Sequence, residues 1–178
     1  MTTEAVAELV KRATALVAEA TPAPDEALVR GQAVIIVPRT RAAEALATLR
    51  DHPDLRFDRL SDLTAVDYLG REPRFEVVYE LHSLALHHRL RVKVPVPGDD
   101  PAVPTVTGLW KSALWAEREV FDLFGIRFVG HPDLRRILMY PEFEGHPLRK
   151  DYPVDRRQPL VPERDPIVQP WMPRREGR

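Results

Sequence analysis

Apolar residues recur at helical spacing at the start of the chain. Val6, Leu9, Ala13, Leu16 and Val17 fall on one side of a helix predicted over residues 4–19, capped by Thr2 or Thr3 and stopped by Pro22 and Pro24. The run AVIIV at residues 33–37 is β-branched and apolar on both faces, which predicts a central strand ended by Pro38. A second helix starts behind Thr40, with Ala42, Ala45, Leu46 and Leu49 inward and Pro53 beyond its end. One more strand falls within residues 57–68, without a clear register. Phe75, Val77, Tyr79 and Leu81 then alternate with Glu76, Val78, Glu80 and His82. Leu90, Val92 and Val94 likewise alternate with Arg89, Arg91 and Lys93, so two neighbouring antiparallel strands are predicted, each with one apolar face. Their polar faces set two glutamates near three bases, a solvated surface whose pairs contribute a few tenths of a kcal/mol each.

After the loop PVPGDDPAVP, the stretch GLWKSALWAEREVFDLFG predicts a helix over residues 109–124 that Gly125 ends. Trp110, Leu114, Glu117, Phe121 and Phe124 form one stripe, which puts a carboxylate in the middle of an apolar face. Burying an unpaired carboxylate costs several kcal/mol, so Glu117 is expected to find a cationic or hydrogen-bonding partner, an arginine of the strap being one hypothesis. Trp115, Glu119, Asp122 and Ile126 form a second stripe, with Arg118 between the two. From Pro141 onward a proline falls every few residues, which rules out helices and central strands. The expected fold is therefore α+β. A two-layer α/β domain with a mixed or antiparallel sheet occupies residues 1–128, and an extended proline-rich strap over residues 129–178 docks on a partner. Tyr152, Leu160, Val161, Ile167, Val168, Trp171 and Met172 are the strap's candidate anchors.

Composition narrows the chemistry. At 178 residues there is room for one domain and an appendage. With 26 Lys+Arg against 27 Asp+Glu, nothing global draws the chain to nucleic acid or to an anionic membrane. The absence of cysteine excludes disulfides, thiolate catalysis and cysteine-held zinc or iron–sulfur clusters. No signal-like start and no apolar run of about 20 residues is present, so a soluble cytoplasmic chain is expected.

The tripeptide Gly-His-Pro occurs twice, at residues 130–132 and 145–147. His131 and His146, with Asp133, Glu142 and Glu144, raise the alternative of a metal-dependent hydrolase. Neither histidine stands at i, i+4 on a helix, however, and each precedes a proline. The structural alternative makes each glycine a turn and each imidazole a hydrogen-bond partner of nearby backbone or carboxylate. Glu117 and Glu119 point to different sides of a helix and cannot share a substrate. Glu119 and Asp122 can, but ion pairing with Arg118, Arg135 or Arg136 explains them without a pocket or nucleophile.

SALWAERE at residues 112–119, DLFGI at 122–126, GHPDLRRIL and EGHPLRKDYP together resemble the signature of the thirty-kilodalton subunit, also called the C subunit, of respiratory complex I, NADH-quinone oxidoreductase. The signature runs from about Thr105 to Pro153, and the order of elements before it also fits that family. The resemblance implies an accessory protein in the hydrophilic arm, peripheral on the cytoplasmic side of the inner membrane. It implies no cofactor or catalytic residue in this chain: FMN and iron–sulfur clusters belong to partner subunits, and the quinone site mainly to the D and B subunits. The implied partners are the quinone-site D subunit above all, with the B and I subunits. The residues expected to make or support assembly contacts are Glu117, Arg118, Glu119, Asp122, His131, Asp133, Arg135, Arg136, His146, Arg149, Lys150, Asp151 and Trp171. The alternative within the resemblance is the matching subunit of a membrane-bound hydrogenase or ferredoxin-linked complex.

Overall fold

A computed structural model describes residues 3–24, 31–158 and 160–161. Helix α1 spans Thr3–Leu16 and buries Val6, Leu9, Val10 and Ala13. It ends before residue 19 because Glu19 takes a left-handed φ of 62° and the chain enters the short strand β1, Thr21–Pro22. Strand β2, Val34–Ile36, leads through a 3-10 turn at Arg39–Arg41 into helix α2, Ala42–Asp51. Three nine-residue strands follow: β3, Arg59–Asp67, β4, Phe75–Ser83, and β5, His88–Val96.

The sheet is mixed, in the order β1-β2-β5-β4-β3. β3, β4 and β5 pair antiparallel, whereas β2 runs parallel to β5. One face carries Ile35, Val37, Val77, Tyr79, Val92 and Val94 and is buried in a single core with α1 and α2. The other face carries Glu76, Glu80, Arg89, Arg91 and Lys93, as the alternation predicts. β3 had no legible register for a local reason. A bulge between Leu60 and Asp62 spaces the inward residues Leu60, Leu63 and Ala65 unevenly, so the period of two breaks.

Beyond β5, strand β6, Ala102–Pro104, pairs parallel with β7, Arg127–Val129, and helix α3, Ala113–Phe124, lies between them in sequence. The chain at 107–112 forms turns rather than helix. There Trp110 Nε1 donates to the Phe57 carbonyl and Ser112 Oγ to the Leu60 carbonyl, which ties the start of α3 to the edge strand β3. Ala113, Val120 and Phe124 complete the core from that side. Among the described residues after Val129 there is no further helix or strand. Residues 130–152 run back over α3 in a series of turns, and the strap residues 162–178, with Ile167, Val168, Trp171 and Met172, lie outside the described residues.

Candidate functional site

A helix leaves its last four carbonyls without intrahelical donors. In α3 these are Phe121, Asp122, Leu123 and Phe124, and each has an identified partner. Gly125 N–H donates to the Phe121 carbonyl at 2.9 Å. His146 Nδ1–H donates to Asp122 at 2.9 Å, Leu148 N–H to Leu123 at 3.1 Å, and Arg149 Nε–H to Phe124 at 2.6 Å. The second Gly-His-Pro segment is therefore the cap of the signature helix. Gly125, at φ 75°, lets this happen, since a β-carbon there would lie 2.5 Å from His146 Nε2 and 2.7 Å from Arg149 Nη2.

The first Gly-His-Pro does similar work one face along. His131 Nδ1 accepts from the Asp133 N–H at 3.0 Å, which leaves Nε2–H to donate to the Leu114 carbonyl at 3.1 Å. Gly130 and Gly145 both adopt positive φ, 86° and 91°, and make the two turns expected of them. The carbonyls that receive the two histidines are eight residues apart on one helix, about 12 Å along its axis. Among the described residues no three His, Asp or Glu side chains gather around a common point. Both imidazoles are engaged with backbone groups of the same chain.

Asp122 holds the segment between the histidines. Its side chain is fully buried. Oδ1 receives Arg136 Nη1 at 2.7 Å, and Oδ2 receives the backbone N–H groups of Ile137, Leu138 and Met139 at 3.0, 2.8 and 2.8 Å. Burial pushes the carboxyl up, but the Met139 N–H, the Arg136 guanidinium and the Ile137 and Leu138 N–H groups outweigh it and hold Asp122 below the usual carboxylate range. Arg118, also buried, donates to the carbonyls of Arg135 and Arg136 at 3.1 Å each. Its guanidinium lies 3.8 Å from Asp133 and over the Trp115 ring. Arg135 points outward and pairs with Asp133, while Glu119 is exposed and shares nothing with buried Asp122.

Glu117 finds hydrogen-bonding partners and not the hypothesised arginine of the strap. No arginine among the described residues reaches it. Its Oε1 accepts the Val106 N–H at 2.7 Å, and Oε2 lies 2.5 Å from Thr105 Oγ1, so the carboxyl ties α3 to the end of β6. Burial dominates over these two bonds and raises its pKa to about 7. Glu117 therefore keeps its proton in the fold at pH values where the unfolded chain, near the ordinary 4.5, has lost it. Stability consequently falls as pH rises between those two values, by on the order of 3 kcal/mol in total, and is level above about 7. Glu117→Gln mimics the protonated form, with an amide oxygen for Val106 and an N–H for Thr105. Its stability relative to the parent should rise by that amount between pH 4 and pH 8 in parallel denaturation curves. Curves that keep a constant separation would contradict this placement.

The segment is anchored again at its end. Fully buried Asp67 receives Arg74 in a two-pronged pair at 2.9 and 2.8 Å and the Lys150 N–H at 2.8 Å. Arg74 also reaches Asp151 at 2.8 Å. Arg74 and Arg149 both lie against the Phe75 ring. Tyr152 stacks on Phe143 within the segment. Of the expected residues, then, Arg118, Asp122, His131, Arg136, His146, Arg149, Lys150 and Asp151 converge on α3 and the adjoining strand ends. Trp171 lies outside the described residues. Thr105, Asp67 and Arg74 are members that sequence reading missed. Asp67 ends the strand whose register the bulge hides, so its buried position left no signal in the sequence.

The family model described as respiratory-chain NADH dehydrogenase, 30 Kd subunit, matches residues 35–158, which contain most of β2, the strands β3–β5, α3 and the whole capping segment. A C subunit of the NADH-quinone oxidoreductase of Rhizobium etli, the one numbered 2, is 47% identical over 147 residues, 80% of this chain and 78% of that one. The C subunit of the same enzyme from Roseiflexus sp. is 54% identical over 125 residues, 70% of this chain and 72% of that one. Among solved structures, the Nqo5 trypsin-resistant fragment (1-134) superposes with a TM-score of 0.56 at 39% identity, covering 75% of this chain and all of the fragment. A chain of an archaeal respiratory membrane complex, the membrane-bound sulfane sulfur reductase, superposes with a TM-score of 0.68 at 28% identity, covering 83% and 85%. With the family match spanning both Gly-His-Pro turns and the helix against which they bond, this chain belongs to the 30 kDa subunit family of respiratory-chain NADH dehydrogenase.

Proposed function

We propose that this chain is a non-catalytic scaffold within NADH-quinone oxidoreductase, presenting a rigid corner around which the quinone-reducing module assembles. The observation that carries the proposal is the use made of the signature. Its charged groups, buried Arg118 and Asp122 and half-buried Arg136 and Arg149, are directed at backbone carbonyls and N–H groups of the same chain. Groups so fully engaged are not poised to accept protons or bind substrate. In this reading FMN and iron–sulfur clusters reside in partner subunits, and the chain contributes no cofactor of its own.

The proposed partners are the quinone-site D subunit first, with the B and I subunits, and the proposed place is the cytoplasmic side of the inner membrane. No described helix is long and apolar enough to cross a membrane, so attachment would run through those partners. Residues 154–178 are the proposed docking strap. Val154 and Leu160 stand fully exposed where the capping segment ends, apolar side chains that a partner would cover. The relatives at 47–56% identity carry the NADH-quinone name, which favours that complex over the hydrogenase-like alternative.

The test is affinity purification of the full chain from native membranes under gentle conditions, with identification of the co-purifying chains. Subunits of the NADH-quinone enzyme are expected, and recovery of a lone soluble monomer would overturn the proposal. Deleting residues 154–178 should leave the folded domain intact by circular dichroism while reducing co-purification several-fold. Undiminished co-purification would remove the docking role from the strap.

A further inference from the structure

The turn that follows β6 carries a row of hydroxyls from the core toward the surface. Glu117 is fully buried, and its Oε2 lies 2.5 Å from Thr105 Oγ1. Thr105 Oγ1 lies in turn 3.0 Å from Thr107 Oγ1. Thr107 is part-exposed and stands beside exposed Gly108, whose would-be β-carbon meets open space. Two oxygen-to-oxygen steps therefore join a buried carboxyl to a hydroxyl at the surface.

The hydrogen count fixes which ways this row can run. Thr105 Oγ1 has one hydrogen and two lone pairs. The Thr107 N–H takes one lone pair at 3.2 Å, which leaves one hydrogen and one lone pair to share between Glu117 and Thr107 Oγ1. Glu117 Oε1 already accepts the Val106 N–H, so a proton on this carboxyl sits on Oε2, facing Thr105. Two arrangements satisfy all three oxygens. With Glu117 ionised, Thr107 donates to Thr105 and Thr105 donates to Glu117. With Glu117 protonated, Glu117 donates to Thr105 and Thr105 donates to Thr107.

One proton passed along the row converts the first arrangement into the second. A hydronium ion at the surface protonates Thr107 Oγ1 and is left as water. Thr107 passes its own hydrogen to Thr105, and Thr105 passes its own to Glu117 Oε2. Three O–H bonds break and three form, and each hydroxyl ends in the orientation that the protonated carboxyl requires. Burial, Thr105 and Val106 set the state of this carboxyl. Tyr79 on β4 is its titratable neighbour. Burial first and the Glu117 carboxylate second push that phenol up, so it stays neutral, and being fully buried it offers no second way out.

We infer that Glu117 is a buried proton-binding site that exchanges with solvent through the Thr105 and Thr107 hydroxyls while the chain stays folded. The tie between α3 and the end of β6 then responds to pH without local unfolding. This site is independent of the proposed assembly role.

Rapid mixing of the full chain into D2O, followed by infrared absorption of the protonated carboxyl, tests the route. At a pH between 4.5 and 7 the Glu117 band is the one missing from Glu117→Gln. In the parent that band should shift to its deuterated position well before the Val106 N–H, bonded to the same carboxyl, exchanges in amide hydrogen-exchange measurements. Thr107→Val and Thr107→Ala should each slow the shift at least several-fold, and Thr107→Ser, which keeps the hydroxyl, should exchange at the parent rate. A parent carboxyl that exchanges no faster than the Val106 N–H overturns the inference, because the proton then leaves by opening of the fold. Parent-rate exchange in the folded Val or Ala variant overturns it as well, since the proton then leaves by another way. So does the lack of any band that Glu117→Gln removes, which would mean that the carboxyl carries no proton.

Discussion

Gly125→Ala should destabilise the chain by about 3–5 kcal/mol, a large part of the stability of a domain this size. Two costs combine. A β-carbon in the left-handed region costs about 1–2 kcal/mol by itself. It would also lie within 2.7 Å of His146 and Arg149, so both must withdraw from the Asp122 and Phe124 carbonyls they cap. The two carbonyls left unpaired together cost about 2–3 kcal/mol more, the low end of the range because the arginine tip can partly readjust. Gly70→Ala separates the two contributions. Gly70 has a comparable φ of 85° but nothing within 4 Å of its would-be β-carbon, so it should lose only about 1–2 kcal/mol. Urea denaturation of both variants checks the contrast, and equal losses would contradict the capping role of the His146–Arg149 segment.

Asp122→Asn should cost about 3–5 kcal/mol despite its near-identical shape, the range for breaking a buried charge pair from one side. In the parent both carboxylate oxygens are surrounded by donors, Arg136 on one and three backbone N–H groups on the other. Whichever way the amide turns, its NH2 faces donors, and Arg136 loses its counter-charge. The sign of the pH dependence follows from the lowered pKa of Asp122. The unfolded chain takes up a proton here at higher pH than the folded one. The carboxylate's contribution is therefore present above the ordinary carboxylate value and lost as pH falls through the folded one. The gap between parent and variant should be full at pH 7 and narrow toward strong acid. Thermal denaturation at both ends of that range measures it, and a gap independent of pH would place the loss in packing rather than charge.

The alternation of β4 and β5 and the apolar stripes of α1 and α2 made the core legible, because burial on one face dictates residue type at fixed periods. β3 was blurred by its bulge. The signature helix was legible as a helix but not in its bonding. A buried Glu117 demands a partner, yet sequence offers no sign that a hydroxyl and one N–H at Thr105 and Val106 suffice with a proton retained. Burial alone leaves a cation and a hydrogen-bond donor equally open. The arginines instead serve backbone groups, and backbone carries no sequence signal. The Gly-His-Pro turns are legible as turns, while the identity of their acceptors, carbonyls of α3, depends on how residues 130–152 fold back.

A scaffold role and a catalytic role for the signature differ in one quantity, turnover per assembled complex. Membranes carrying Asp122→Asn or Gly125→Ala should be assayed for NADH–quinone activity and, in parallel, for the amount of intact complex on native gels. If the signature holds the chain's own corner together, assembled complex falls several-fold while activity per complex stays at the parent level. Full assembly with lost turnover would contradict the scaffold role and place these residues in the chemistry.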